Sequence, residues 1–166
     1  MDAGDVIRVL GLEPHAGEGG YFRETYRSGG CIPASALPEG YLGGRAFGTA
    51  IYYLITPESF SALHRVRGDE LFHFYLGDPV DMLRLFPDSS GEELILGSDI
   101  MAGHLLQCQV PGGVWQGLRL ADGGRFALLG TTMAPGFEYE DFELGDPEWL
   151  MAGFPALRDR IARFVR

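Results

Sequence analysis

The sequence predicts an all-β domain, a sandwich or barrel of short strands. Eight runs rich in β-branched, aromatic and aliphatic residues follow one another from residue 48 onward: "TAIYYLIT", "SALHRV", "ELFHFYL", "VDMLRLFP", "EELILG", "LLQCQV", "VWQGLRL" and "RFALLGTT". Turn chemistry separates them, among it Pro57-Glu58, Gly68-Asp69, Gly77-Asp78-Pro79, Pro111-Gly112-Gly113 and Asp122-Gly123-Gly124. No helical period intervenes, and strands at this spacing without crossover helices pair as antiparallel ladders.

The elements around this core follow in order. Residues 3–11 carry Val6, Ile7 and Leu10 on one side of a short N-terminal helix. "YFRETYR" (21–27) alternates and reads as an extended arm, and the "GEGG" before it is a flexible turn, since neither a helical pattern nor a Lys follows. Residues 34–46 read as a loop. The acidic run "FEYEDFELGDPE" reads as a solvated strand. In "PALRDRIARFVR", Leu157, Ile161 and Phe164 recur at i, i+4, i+7, which predicts an amphipathic C-terminal helix packed on the barrel. No linker or repeat divides the 166 residues. One domain over 1–166, with a barrel core at about 48–133, is the expectation.

Composition removes several function classes. The formal net charge of −10 repels phosphate backbones, so no nucleic-acid partner is expected. No apolar run reaches membrane-spanning length and the N-terminus lacks a signal pattern, so no membrane partner is expected and the location is read as cytoplasmic. All 13 basic side chains are Arg. Without Lys there is no Schiff base, no pyridoxal phosphate anchor and no P-loop. Cys31 and Cys108 form neither a zinc pattern nor a disulfide framework, and Cys108 alternates as a core residue.

The chemistry gathers in "ALHRVRGDELFHFYLG" (62–77). Alternation puts Glu70, Phe72 and Phe74 on one face of a strand and His73 on the other. A hairpin at Gly68-Asp69 would set His64 beside Glu70. Past the Pro111-Gly113 turn, Gln116 and Trp115 face opposite ways, and either Tyr52 or Tyr53 faces the interior. Arg23 is a candidate clamp for a phosphate or carboxylate, because a guanidinium binds such groups bidentately. No GxSxG element is present, and Ser59 and Ser61 near His64 lack a visible acid partner.

These residues resemble the cupin superfamily. His64, Glu70 and Gly77 match its first motif, with Val66 where a second histidine would stand. Pro111 and Gly113 match its second, with Gln116 in place of the third histidine. "GEGGYFRETYRS", "TAIYYLITPESFSALHRVRGDELFHFYLGDP", "VPGGVWQG" and "APGFEYEDFELGD" resemble, more narrowly, the cupin_5 family, domain of unknown function 985. The resemblance implies an RmlC-like double-stranded β-helix, the cupin jelly-roll barrel, with a short N-terminal and an amphipathic C-terminal helix. It also implies a homodimer, and a lumen facing Gln116 with Trp115 turned outward.

Two strong ligands, His64 and Glu70, with the weak amide of Gln116, fall short of the three-ligand sets of catalytic zinc or iron. A divalent metal held by His64, Glu70 and Gln116, serving a weakly metal-dependent oxygenase or isomerase, is therefore the alternative, and no cofactor the first expectation. His73 or His104 would join only if a bulge re-aimed it. The leading expectation is metal-free proton transfer of the isomerase or epimerase kind on a sugar or nucleotide-sugar-like small molecule. His64 is the base, its pKa raised by the neighbouring carboxylate, Tyr52 or Tyr53 the acid, and Glu70 the orienting group. Arg23, Phe72, His73, Phe74 and Gln116 are the candidate ligand contacts. A non-catalytic small-molecule binding protein is the rival.

Overall fold

The computed structural model describes residues Met1–Arg166. Helix α1 (Ala3–Leu10) begins where Asp2 accepts from the Asp5 amide and Asp5 reciprocates, and it ends at Gly11, whose φ of 61° closes the C-cap. The N-terminal arm then contributes β1 (Glu13–Pro14) and β2 (Tyr21–Arg27). The 34–46 loop is bracketed by a two-stranded ladder of β3 (Cys31–Ile32) and β4 (Arg45–Ala46).

Each of the eight expected runs is a strand: β5 (Thr49–Ile55), β6 (Ser61–Val66), β7 (Glu70–Gly77), β8 (Val80–Leu85), β9 (Gly91–Leu96), β10 (Gln107–Val110), β11 (Trp115–Leu120) and β12 (Ala127–Met133). The acidic run is less solvated than expected. It makes a 3-10 turn and then β13 (Phe142–Leu144), which pairs with β6. The C-terminal segment is not one helix. A separate α2 (Pro147–Gly153) ends before Pro155, which offers no amide to continue it, and of the helix expected from Pro155 onward only a 3-10 turn and the short α3 (Arg158–Ile161) form.

Two sheets face one another. The larger runs β1-β2-β5-β12-β7-β10 and the smaller β13-β6-β11-β8-β9, all antiparallel, and neither closes on itself. This is an open jelly-roll sandwich with covered outer faces. Tyr53, Ile55, Phe72, Phe74 and Leu129 of the large sheet meet Val80, Met82, Leu118 and Leu120 of the small one in the central core. On the far side of the small sheet, Leu63, Leu83, Leu85 and Trp115 lie under Leu150, Phe154, Ile161 and Phe164. α1 covers the far side of the large sheet through Val6 against Leu54 and Leu128. Cys108 is buried in the core and Cys31 is exposed. No helix is long and apolar enough to cross a membrane.

Candidate functional site

The sandwich leaves a cavity of about 190 Å³ at one end, between β5, β7 and β12 on one side and β6 and β13 on the other. His64 and Gln116 are cross-strand partners on β6 and β11, both turned inward. Glu70 reaches them from the opposite sheet. The Arg67–Asp69 connection is therefore a corner between sheets and not the hairpin that the glycine-aspartate pair predicts. The corner is held from outside: the Asp69 carboxylate accepts from the Gly112 amide at 2.9 Å and from Gln109 Nε2 at 2.7 Å. Those contacts turn the chain away from β6 just where a two-stranded turn would have folded it back.

At the cavity floor, His64 Nδ1 lies 2.9 Å from the Ala62 carbonyl. A carbonyl only accepts, so Nδ1 carries the proton and Nε2 faces the cavity. Nε2 meets Glu18 Oε2 at 3.0 Å, and Gln116 Nε2 at 3.4 Å. Gln116 also donates to Glu70 Oε2 at 2.6 Å, while its own Oε1 is buried without a partner. With Nδ1 protonated, the 3.0 Å contact to Glu18 requires one proton between the two groups, on Glu18 or on Nε2. Burial settles the direction. It lowers His64 and raises Glu18, which favours the neutral imidazole with a protonated acid. The expectation that a neighbouring carboxylate raises His64 is thus corrected: Glu70 does pull it up, but desolvation outweighs the pull. Glu70 is likewise raised by burial, against the opposing charge of His64.

Glu18 is the residue that the sequence reading missed. It sits in the "GEGG" turn, whose geometry brings it over β6. The His15 amide donates to the Gly20 carbonyl at 2.9 Å, and the Ala62 amide donates to the Glu18 carbonyl at 2.8 Å. His15 Nδ1 accepts from the Glu18 amide at 3.1 Å, so the neutral imidazole caps the turn it begins. Gly20 has φ 74°, and a Cβ there would stand 2.6 Å from the Tyr53 hydroxyl and 2.9 Å from the Leu54 carbonyl. Only glycine lets the arm lie this close to β5. The glycines flanking an acid were the available signal; they fix a position for Glu18 as well as giving flexibility.

The other expected site residues separate. Tyr53 faces inward but lies behind Glu18, fully buried, its hydroxyl donating to the Gly19 carbonyl at 2.7 Å. Tyr52 is on the outer face of β5, edge-on to Tyr75, with Arg23 5.9 Å from its ring centroid. Neither tyrosine lines the cavity, and neither does Arg23. Phe72 and Phe74 point inward as alternation requires, but at a depth where they form core and not cavity wall. His73 points outward, 3.1 Å from Thr132 Oγ1 and 3.0 Å from Gln107 Nε2. Gln116 is inward and Trp115 outward, the latter under Arg65 at 4.6 Å. The cavity walls come instead from Phe22, Val66, Met133 and the aromatics of the acidic run, Phe137, Tyr139 and Phe142. Phe142 stacks on His64 with centroids 5.2 Å apart.

The rim is tied down by Arg45, which is 1% exposed. Its five N–H groups meet five acceptors: two oxygens of Asp141 at 2.7 and 2.8 Å, the carbonyls of Gly43 and Gly44 at 3.0 Å each, and Glu140 at 2.6 Å. This fixes the turn from which Tyr139 and Phe142 reach the cavity.

Two antiparallel sheets with polar chemistry at one end of a short-stranded sandwich define a protein of the cupin class. The family model described as Cupin superfamily (DUF985) matches residues 4–145, and the chain belongs to that family. It is 30% identical over 132 residues to an uncharacterized protein of Saccharomyces cerevisiae, covering 75% of this chain and 66% of that one; it thus spans just under two thirds of that relative's length. It is similar in structure to a hypothetical protein from Leishmania major, with TM-score 0.89, 31% identity and 99% of each chain covered. A Shewanella oneidensis protein gives TM-score 0.89 and 32% identity over 100% of this chain and 98% of that one. Bacillus subtilis oxalate decarboxylase, at TM-score 0.54 and 13% identity over 92% of this chain and 37% of that one, shares the fold.

The decarboxylase has Mn(II) centres. The residues at the corresponding motif positions here do not suit such a centre. They offer one imidazole nitrogen, since Val66 and Gln116 occupy the other histidine positions, and no three His, Cys, Asp or Glu side chains are grouped to hold an ion.

The raised pKa of Glu70 carries a stability consequence. Between the ordinary carboxylate value near 4.5 and the higher folded one, the folded state binds more protons than the unfolded, so its stability falls as pH rises. Glu70→Gln, which removes this titration, is expected to gain on the wild type from pH 5 to pH 8, by at most about 1.4 kcal/mol per pH unit within the window. Urea midpoints of both proteins at the two pH values measure it; a constant difference would place Glu70 at an ordinary pKa.

Proposed function

We propose that this cupin binds a small molecule in the cavity and moves a proton on it, in the manner of an isomerase, with His64 as the group that takes and returns the proton. The observation that carries the reading is the 3.0 Å contact between His64 Nε2 and Glu18 inside the cavity. Nδ1 is held by the Ala62 carbonyl, so the ring orientation is fixed and Nε2 is the exchanging atom. Glu18 is the proton's other station, and Glu70 with Gln116 forms the polar floor that orients the ligand. Neither Tyr52 nor Tyr53 is the acid here, because Tyr52 faces away from the cavity and the Tyr53 hydroxyl is committed to the Gly19 carbonyl.

The nucleotide portion of a nucleotide-sugar has no evident seat. Arg23 lies on the other side of the sheet, and Arg27 at the mouth is held by Glu24 at 2.9 Å and Glu138 at 2.6 Å. The cavity suits a ligand of monosaccharide size or smaller. Non-catalytic binding is the second reading, favoured by the absence of both Tyr52 and Tyr53 from the cavity wall.

Native mass spectrometry of the untagged protein identifies what co-purifies, and incubation of that compound with the protein in D₂O tests the chemistry. Deuterium is expected to enter one C–H position. The exchange rate should fall by about 10²–10⁴-fold in His64→Gln, with binding retained. Tight binding without any wash-in would reduce the protein to a carrier.

A further inference from the structure

The charge inventory of the cavity specifies its ligand more narrowly than its shape does. Four carboxyl groups face it: Glu18, Glu24, Glu70 and Glu138. The only guanidinium among them, Arg27, has four of its N–H contacts committed, two to Glu24, one to Glu138 and one to the Phe137 carbonyl. An incoming anion would meet no free cation. Glu24 and Glu138 are answered by Arg27, but no arginine is ion-paired with Glu18 or Glu70; Arg166 acts on Glu18 only from a distance. The partners of these two acids are neutral groups: His64, whose Nδ1 is spent on a carbonyl, the amide of Gln116, and the hydroxyls of Tyr53 and Ser61 beside Glu18 and of Thr131 beside Glu70. The Gln116 amide is wholly buried and its Oε1 has no partner. Two carboxyl groups met only by neutral groups favour a cationic hydrogen-bond donor. Around them the walls are aromatic and aliphatic: Phe22, Val66, Met133 and Phe142. Ring faces are the negative pole of their quadrupoles and favour a cation over an anion.

We infer that the cavity binds an organic ammonium, a small primary amine whose –NH₃⁺ is seated between Glu18 and Glu70 while its carbon body rests on Phe22, Val66 and Phe142. The inference rests on the proposal that the cavity is a ligand site, and it selects the class of ligand. An ammonium brings three donors, enough for both acids, and its charge between them displaces the proton that burial holds on Glu18 in the empty cavity. The carbon body supplies the C–H at which His64 would act.

Three probes with one body and three charges test it: benzylammonium, benzyl alcohol and benzoate. The benzyl group matches the space, since a cavity of roughly 150 Å³ takes benzene. Calorimetric titration of the full chain at pH 7.5 is expected to show benzylammonium binding, benzyl alcohol at least about tenfold weaker, and no benzoate binding. Glu70→Gln should weaken benzylammonium by about tenfold or more and leave benzyl alcohol unchanged. Val66→Phe, which fills the cavity with an apolar side chain, should abolish binding while the circular dichroism spectrum is retained. It serves as the control if Glu70→Gln does not fold. Equal affinity for the alcohol and the ammonium, or tighter binding of benzoate, overturns the ammonium preference and leaves the ligand site standing. Binding of none of the three overturns both. Stoichiometric uptake of Mn²⁺ with no response to benzylammonium also overturns it, in favour of an inorganic cation.

Discussion

Arg45→Met is expected to cost about 3–5 kcal/mol of stability, corresponding to a fall in Tm of roughly 6–20 °C. The side chain it removes is buried, and all five of its donors are engaged. Left behind are the Asp141 carboxylate, 5% exposed, and two carbonyls. Arg67, 3.4 Å from Asp141, is itself 42% exposed and makes only a partial substitute. Loss of one partner of a buried ion pair is expensive because the other charge stays desolvated. The double variant Arg45→Met/Asp141→Leu should therefore recover much of the loss, since removing both charges leaves none stranded. Thermal melts of the three proteins decide it. A double variant as unstable as the single one would mean that the packing of the Gly43–Arg45 loop, and not the charge, is what Arg45 contributes. A small effect of Arg45→Met alone would refute the burial argument itself.

Phe164→Ala is expected to cost about 3–5 kcal/mol as well, by a different route. Phe164 is 1% exposed and closes the layer outside the small sheet. Its ring occupies the space over Gly117, where a Cβ would come within 3.1 Å of it, and its carbonyl accepts from the Leu63 amide at 2.7 Å. Truncation leaves a void against Leu63 and weakens the docking of the whole C-terminal segment. Urea unfolding measures the total. Hydrogen exchange should show residues 147–166 losing protection first, because this layer contacts the sandwich on one side only. The cavity lies on the inner side of β6, so benzylammonium affinity should be unchanged under conditions where the variant is folded. Uniform loss of protection across the sandwich would mean that the segment folds as one unit with it.

The strands were legible because alternation and turn chemistry are local. The same alternation set Gln116 and Trp115 on opposite faces and His73 outward, the motif resemblance picked Gln116 as the inward one, and each is found so. What alternation does not carry is depth along a strand. Phe72 and Phe74 share the face of Glu70, yet two and four residues further on they belong to the core. Nor does it say which consecutive strands pair: β6 and β7 read as a hairpin and are parted by a corner whose contacts come from residues 109 and 112. Glu18 was hidden for a third reason. A turn has no periodicity, and its meaning depended on how closely the arm approaches β5, which Gly20 permits and no pattern announces.

That placement of Glu18 makes the pocket chemically modular. His64, Glu70 and Gln116 stand on strands paired on both sides, where an insertion or deletion would shift register on both neighbours. The acid opposite His64 arrives instead on a six-residue cap between His15 and Gly20, anchored mostly through main-chain atoms. Exchanging its one functional side chain leaves those anchors intact. A descendant of this sequence, or a designer, can thus swap the acid for an amide, a hydroxyl or a cation and obtain a new pocket on an unaltered scaffold.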